Sequence, residues 1–262
     1  LGDPSECGPL TGGNGVIDQY EVCDGADLQG ETCLSRGFRP GAGSLTCAQT
    51  CTYWDTSTCL GGRIDTEAQL DGAIADAHQT GTHQRIAIPV GYIEQVGTIT
   101  IDECGGAPCG ASPAGVTIEP LDGREVCLGP QGILPFPVFD VVTGNNTFRN
   151  LCFEETTSAF AIGVSPDGDG NKIERCRFDN SVTNPDQLIS GDSAGNEILA
   201  NWFVNSASPR GVTAVTVYEV SNTLSLNVVV GAFDWAFLFN PFDGSLLPPT
   251  YVDHNSINIV GP

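Results

Sequence analysis

Oxygen ligands crowd into one short stretch near the start of the chain: Gly13-Asn14-Gly15-Val16-Ile17-Asp18-Gln19-Tyr20-Glu21-Val22-Cys23-Asp24-Gly25. Side-chain oxygens recur at Asn14, Asp18, Glu21 and Asp24, and Val16 can add its backbone carbonyl. A hard cation such as calcium takes about six to eight oxygens, several of them anionic, from a tight glycine-containing loop. Three carboxylates this close repel one another without a cation between them. Asn14, Val16, Asp18, Glu21 and Asp24 therefore form a candidate calcium site. The plainer reading of the same residues is a solvated acidic turn stapled by Cys23.

Groups that could do catalysis are scattered more loosely. Lys172, Arg175 and Arg177 lie near Asp179 and could supply the base that a polysaccharide lyase needs. A glycoside hydrolase needs two carboxylates about 5–10 Å apart. Asp167, Asp169 and Asp192 could loosely provide them. No Ser/His/Asp set, phosphate loop or nucleotide motif is present, and no catalytic residue is assigned. Asp167-Gly168-Asp169-Gly170-Asn171 resembles half of an EF-hand loop but lacks its closing Glu, so a tight turn is expected there. Asn145-Asn146-Thr147 is the one N-x-[ST] sequon.

Composition narrows the partners. The chain has 262 residues, 32 acidic and 10 basic, for a net charge of −22. Nucleic acid is excluded as a partner, because binding it takes clustered cations. An anionic membrane surface repels the chain for the same reason. No apolar run is long enough to span a bilayer, so no membrane insertion is expected. The absence of Met, even at position 1, points to a processed chain whose signal peptide is gone. Hydrophobic residues at 40% and charged residues at 16% make a core-forming composition.

The elements that must position these groups fall into two regions. Cys7, Cys23, Cys33, Cys47, Cys51 and Cys59 lie within residues 1–60, which have few large apolar side chains. Such a segment needs staples, and the eleven cysteines, lacking zinc-like pairs, point to disulfides in an oxidising compartment. Sequence leaves the pairing of these six open. Residues 61–262 read differently. Thr66 with Gln69 three residues later can start a helix, and Leu70, Ala73, Ile74 and Ala77 continue it at helical spacing over about 66–79. After Gly81 the chain turns to short β-prone runs.

Those runs repeat. Asn146-Thr-Phe148-Arg-Asn-Leu151-Cys-Phe153 is followed by Asn171-Lys-Ile173-Glu-Arg-Cys176-Arg-Phe178, then by Asn196-Glu-Ile198-Leu-Ala-Asn201-Trp-Phe203 and Asn222-Thr-Leu224-Ser-Leu-Asn227-Val-Val229. The leading asparagines step by 25, 25 and 26 residues. A last copy runs Val252-Asp253-His254-Asn255-Ser256-Ile257. A repeat of this length means a coil that returns to the same place each turn. Phe153, Phe178, Phe203, Val229 and Ile257 should stack inside it, with Cys176, Asn201, Asn227 and Asn255 stacked at a bend. Cys127 and Cys152 share an outward column with Arg177 and Trp202 and should pair with each other. Cys104 should pair with Cys109, which leaves Cys176 as the buried odd thiol.

From about 64 to 262 this pattern resembles the right-handed parallel β-helix of the pectate-lyase-like superfamily. The resemblance implies an all-β coil of about seven rungs, with the helix as an N-terminal cap. It also raises polysaccharide lyase or glycoside hydrolase activity as an alternative function. Val252-Asp253-His254-Asn255 faintly resembles the W-x-D-H segment of pectate lyases, without its tryptophan, and the repeat template already accounts for it. The loop at 13–25 resembles the calcium loop of disintegrin domains and the cysteine-rich repeat of myxobacterial secreted proteins. There Asn14, Asp18, Glu21 and Asp24 correspond to side-chain ligands and Val16 to a carbonyl ligand. Cys7 stands displaced by an insertion, and Asp18 replaces a longer Glu.

The functional expectation is a secreted or cell-surface structural or adhesive coil, stabilised by calcium and disulfides, with a glycan as a possible partner. The chain closes on Ile259-Val260-Gly261-Pro262 directly after a repeat strand. An uncapped rung would offer a strand edge for self-association into a filament or surface layer.

Overall fold

The computed structural model describes residues 17, 21–41, 43–48, 50–101, 115–130, 138–154, 161–164, 168–180, 187–191, 193–206, 212–219, 221–239 and 250–259. From Gln84 onward the chain winds into three parallel sheets, repeatedly visiting each in the same order. The first sheet has seven strands, from Gln84–Ile88 to Tyr251–Asp253. The second also has seven, from Tyr92–Gln95 to Ser256–Ile259. The third has six, from Ile99–Ile101 to Trp235–Phe239. The fold is an all-β parallel coil.

Register follows the repeat. Ile93, Leu128, Phe153, Phe178, Phe203, Val229 and Ile257 face one another down the second sheet. Phe153 and Phe178 stack with centroids 4.8 Å apart, and Phe178 and Phe203 at 4.9 Å. That is the inter-strand spacing, so identical rings in one column stack face to face without distorting the ladder. The first sheet supplies Ile86, Ile118, Phe148, Ile173, Ile198, Leu224 and Val252 as its inward column. In the later strands of this sheet period-2 alternation sends the flanking residues outward, whereas Ala87 beside Ile86 is buried.

Two asparagine ladders fix the corners. Asn146, Asn171 and Asn196 each donate a backbone N–H to the Oδ1 of the asparagine one rung on, at 2.8–2.9 Å. At the other bend Cys176, Asn201 and Asn227 donate in the same way to Asn201, Asn227 and Asn255. The amide groups of Asn201, Asn227 and Asn255 also donate back to the carbonyls of Ile173, Ile198 and Leu224, at 2.8–2.9 Å. The residue ahead of each position in this second column, with Leu151 at its head, is left-handed: Asn150, Arg175, Ala200, Leu226 and His254 have φ between 50° and 59°. The corner geometry, not residue preference, sets this column, since Arg175, Ala200 and Leu226 are of types that rarely adopt that region. Cys176 stands where an asparagine would, buried and unpaired, with its sulfur 3.6 Å from the Phe148 carbonyl. Burial pushes its thiol up to about 12.

A helix, α1, covers Glu67–His78 and closes the first rung. Thr66 accepts from the Gln69 N–H, as its position implies, but the Gln69 carbonyl oxygen is buried without a partner, so the reciprocal half of the capping box is not made. Leu70, Ala73, Ile74 and Ala77 are buried in the coil's core. Glu67 accepts from the backbone N–H groups of Val96 and Gly97, tying the cap to the first rung.

The cysteine-rich region docks on this closed end. Its short antiparallel pair, Thr46–Cys47 with Trp54–Asp55, is stapled by Cys23–Cys47 and Cys33–Cys59, and Cys51 is disulfide-bonded as well. Leu34 enters the same core as α1. Arg39 reaches across the helix to Asp76 at 2.8 Å, passing over Gly72, where a Cβ would lie 2.3 Å from the guanidinium. Cys7, Cys104 and Cys109 lie outside the described residues. Cys127–Cys152 pairs across neighbouring rungs in the expected column.

The ladder makes one substitution diagnostic. Cys176→Asn should restore an amide donor to the Phe148 carbonyl and an Oδ1 acceptor to the corner, and raise stability by about 1 kcal/mol. Asn201→Ala should lose about 1–3 kcal/mol by orphaning the Cys176 N–H. Thermal melts followed by circular dichroism check both.

Candidate functional site

The acidic loop is described only at its second half. Asn14, Val16 and Asp18 lie outside the described residues, whereas Glu21 and Asp24 are placed. Asp24 is 4% exposed, and neither carboxylate oxygen has a hydrogen-bond partner. Its backbone exchanges two hydrogen bonds with Asp27, at 2.9 and 2.8 Å, and the Cys23–Cys47 bond pins the residue beside it. Glu21, three residues back, is partly buried. A carboxylate buried with no donor is costly, and a bound cation is one of the few things that removes the cost. The donor chemistry at Asp24 and Glu21, hard anionic oxygens, fits calcium.

Among the described residues, the catalytic candidates of the sequence do not gather into a cleft. Lys172 pairs with Glu174 at 3.2 Å and Glu197 at 3.5 Å. Arg149 bridges Glu119 at 2.9 Å and Glu174, and Arg85 pairs with Glu119. Down the outer face of the first sheet the signs therefore alternate: Arg85, Glu119, Arg149, Glu174, Lys172, Glu197. Burial works against the charged form of Glu174, but the hydrogen bonds and charges of Arg149 and Lys172 outweigh it and hold its carboxyl below the ordinary range. Arg175 sits at an exposed corner, away from this ladder. Asp167 and Asp192 lie outside the described residues. Asp169 accepts the Ala194 N–H at 2.9 Å in an exposed turn, as a tight-turn residue does. Asp253 and His254 pair with each other at 2.7 Å on the surface, and Asp253 occupies the repeat position of Ser225.

The densest polar cluster lies on the outer face of the second sheet. Arg177 donates to Glu125 at 2.9 Å, to Glu154 at 3.3 Å and to Asp179 at 2.9 Å. The Glu125 hydrogen bonds are the main reason its guanidinium is held even more firmly protonated than usual. The same guanidinium lies 2.9 Å from the Cys152 sulfur and 3.7 Å from that of Cys127. Glu154 and Asp179 sit in register on neighbouring strands, and Trp202, 53% exposed, follows Arg177 in its column. One guanidinium, that of Arg177, is shared among all three carboxylates. Burial raises the Cys127 thiol, when reduced, to about 11, which disfavours the thiolate there.

Sequence reasoning placed Cys127, Cys152, Arg177 and Trp202 in one column but missed Glu125 and Glu154. Glu154 and Asp179 each stand two residues past a column member, a same-face position that the alternation could have flagged. Glu125 precedes its strand and carries no periodic signal. No protein-family model, curated protein or solved structure matches the chain.

The ion-pair ladder yields a pH signature. Glu174 is depressed in the folded protein, so its contribution is present above the ordinary carboxylate pKa and lost as pH falls through the folded value. Arg149→Gln should lower the melting temperature by about 1–3 °C at pH 7. The gap should close in melts run at progressively lower pH below the ordinary glutamate value of 4.5.

Proposed function

We propose that the protein is a secreted or cell-surface structural or adhesive coil, held by disulfides and calcium, that self-associates through its last described rung. The observation that carries the reading is the commitment of its outward cations: those of the first and second sheets are tied to carboxylates of their own rung or of rungs one or two turns away. Charge is used to staple rungs together, and little is left over to neutralise a uronic acid or serve as a base. The disulfides fit an oxidising compartment, and among the described residues no helix is long and apolar enough to cross a membrane.

Self-association has a surface to act through. Val252 and Ile257 are 49% and 53% exposed in columns whose preceding members are buried. Tyr251, Trp235 and Phe239 are exposed beside them. An unpaired strand edge with its core residues in register can accept a further rung from another chain. Helix α1 covers the opposite end, so contact between two open rungs is favoured over head-to-tail stacking.

The orphaned Asp24 carboxylate supports calcium, with Asn14, Val16, Asp18 and Glu21 completing the ligand set. Excess calcium should raise the melting temperature over that in EGTA, and Asp24→Asn should abolish the difference. An unchanged calcium response in the variant would sink the assignment.

A glycan-acting enzyme is the second reading, favoured by the exposed Trp202 in register with Arg177, which holds Glu154 and Asp179. Uronic-acid polysaccharides incubated with the protein should give no 4,5-unsaturated product; its appearance makes the protein a lyase. Light scattering with calcium should show particles heavier than the 27.4 kDa chain, and Ile257→Asp should return them to that mass. A strictly monomeric wild type at high concentration would end the self-association reading.

A further inference from the structure

The Cys127–Cys152 bond occupies an unusual setting. Its two residues are partners on adjacent parallel strands, flanked in register by Leu151 with Val126 and Phe153 with Leu128. All four flanking side chains are buried. The coil therefore holds the two sulfurs side by side whether or not they are bonded. The cysteine-rich region is different, because its disulfides hold a segment with little core of its own. Around the rung sulfurs stand two carboxylates. The ligand atoms of Glu125, Cys127 and Cys152 all lie within 4.8 Å of one another. Glu154 reaches to 3.5 Å of the Cys152 sulfur.

We propose that this is a two-state site: opened by a dithiol reductant, Cys127, Cys152 and Glu125 bind a thiophilic divalent cation such as zinc in place of the disulfide. The exchange balances. The reductant's two thiols become its own disulfide, and the two electrons they give up convert the protein's S–S bond into two thiols. Each thiol then loses its proton to solvent as the metal binds. Two sulfurs and one carboxylate suit zinc or cadmium and do not suit calcium, whose ligands are oxygens. Three protein ligands leave an outward position open, because Cys127 is partly exposed and Glu125 exposed. The Arg177 guanidinium, which now donates to both Glu125 oxygens at 2.9–3.3 Å and lies 2.9 Å from the Cys152 sulfur, withdraws toward Glu154 and Asp179 as the metal takes its place.

The test uses the full chain, reduced with dithiothreitol, desalted without oxygen and titrated with cadmium. Thiolate-to-cadmium absorption reports binding. A Cys127→Ser/Cys152→Ser variant treated identically sets the background from other cysteines. Reduced wild type should bind one more cadmium per chain than this variant, and the unreduced protein should lack that increment. Glu125→Gln, which leaves both sulfurs in place, should weaken the added site about tenfold or more. A wild type no better than the double variant overturns the proposal, as does a Glu125→Gln protein with unchanged affinity.

Discussion

At two bends of each turn the coil's backbone leaves its sheet, and an amide there must find an acceptor outside the strand ladder. A buried N–H without an acceptor costs more than most side-chain contacts return. Here the debt is settled by asparagine Oδ1 atoms one rung away, repeated at two bends. The remainder of the coil depends on that solution. Once the corners are held, strands of three to five residues suffice, because each is extended by its neighbours above and below. The aromatic and aliphatic columns then fall into contact without further adjustment.

The outer faces repeat the logic with charge. Arginine, lysine and glutamate alternate along the first sheet, each side chain serving two rungs. Single exposed pairs contribute little, but Glu119 and Glu174 in this chain are only 13% and 15% exposed and lie in a less screened setting. The second sheet gathers three carboxylates on one arginine and adds a covalent bond beside it. Both faces join rung to rung, and the corner asparagines join in the same direction.

The coil was legible because its period is written in residues that have one job. Asn171, Asn196 and Asn222 announce the bend, and counting from them places Phe178, Phe203, Cys152 and Arg177 on the correct face. The cap was legible from Thr66 and the spacing of Leu70 to Ala77. What escaped lacks a period. Glu125 comes from a turn, so its approach to Arg177, 52 residues on, follows from folding and not from spacing. Leu34 reads as an isolated apolar residue in a polar module, yet it enters the coil's core. At the candidate calcium loop the ligand types were evident. The burial of Asp24, which separates it from an ordinary acidic turn, depends on the Cys23–Cys47 closure, and pairing is invisible in sequence.

The cross-rung disulfide also has a mechanical meaning. Tension applied along the coil would peel rungs from an end, and each rung of about 25 residues would pay out about 80–90 Å of extended chain. Between residues 127 and 152 that length is not available, because the bond closes the rung into a ring. Peeling that reaches this point would have to lift the ring whole, breaking the hydrogen bonds of all three faces together. The coil would thus lengthen freely from its last described rung and meet a stop near its first, with the cap and the cysteine-rich region sheltered behind it.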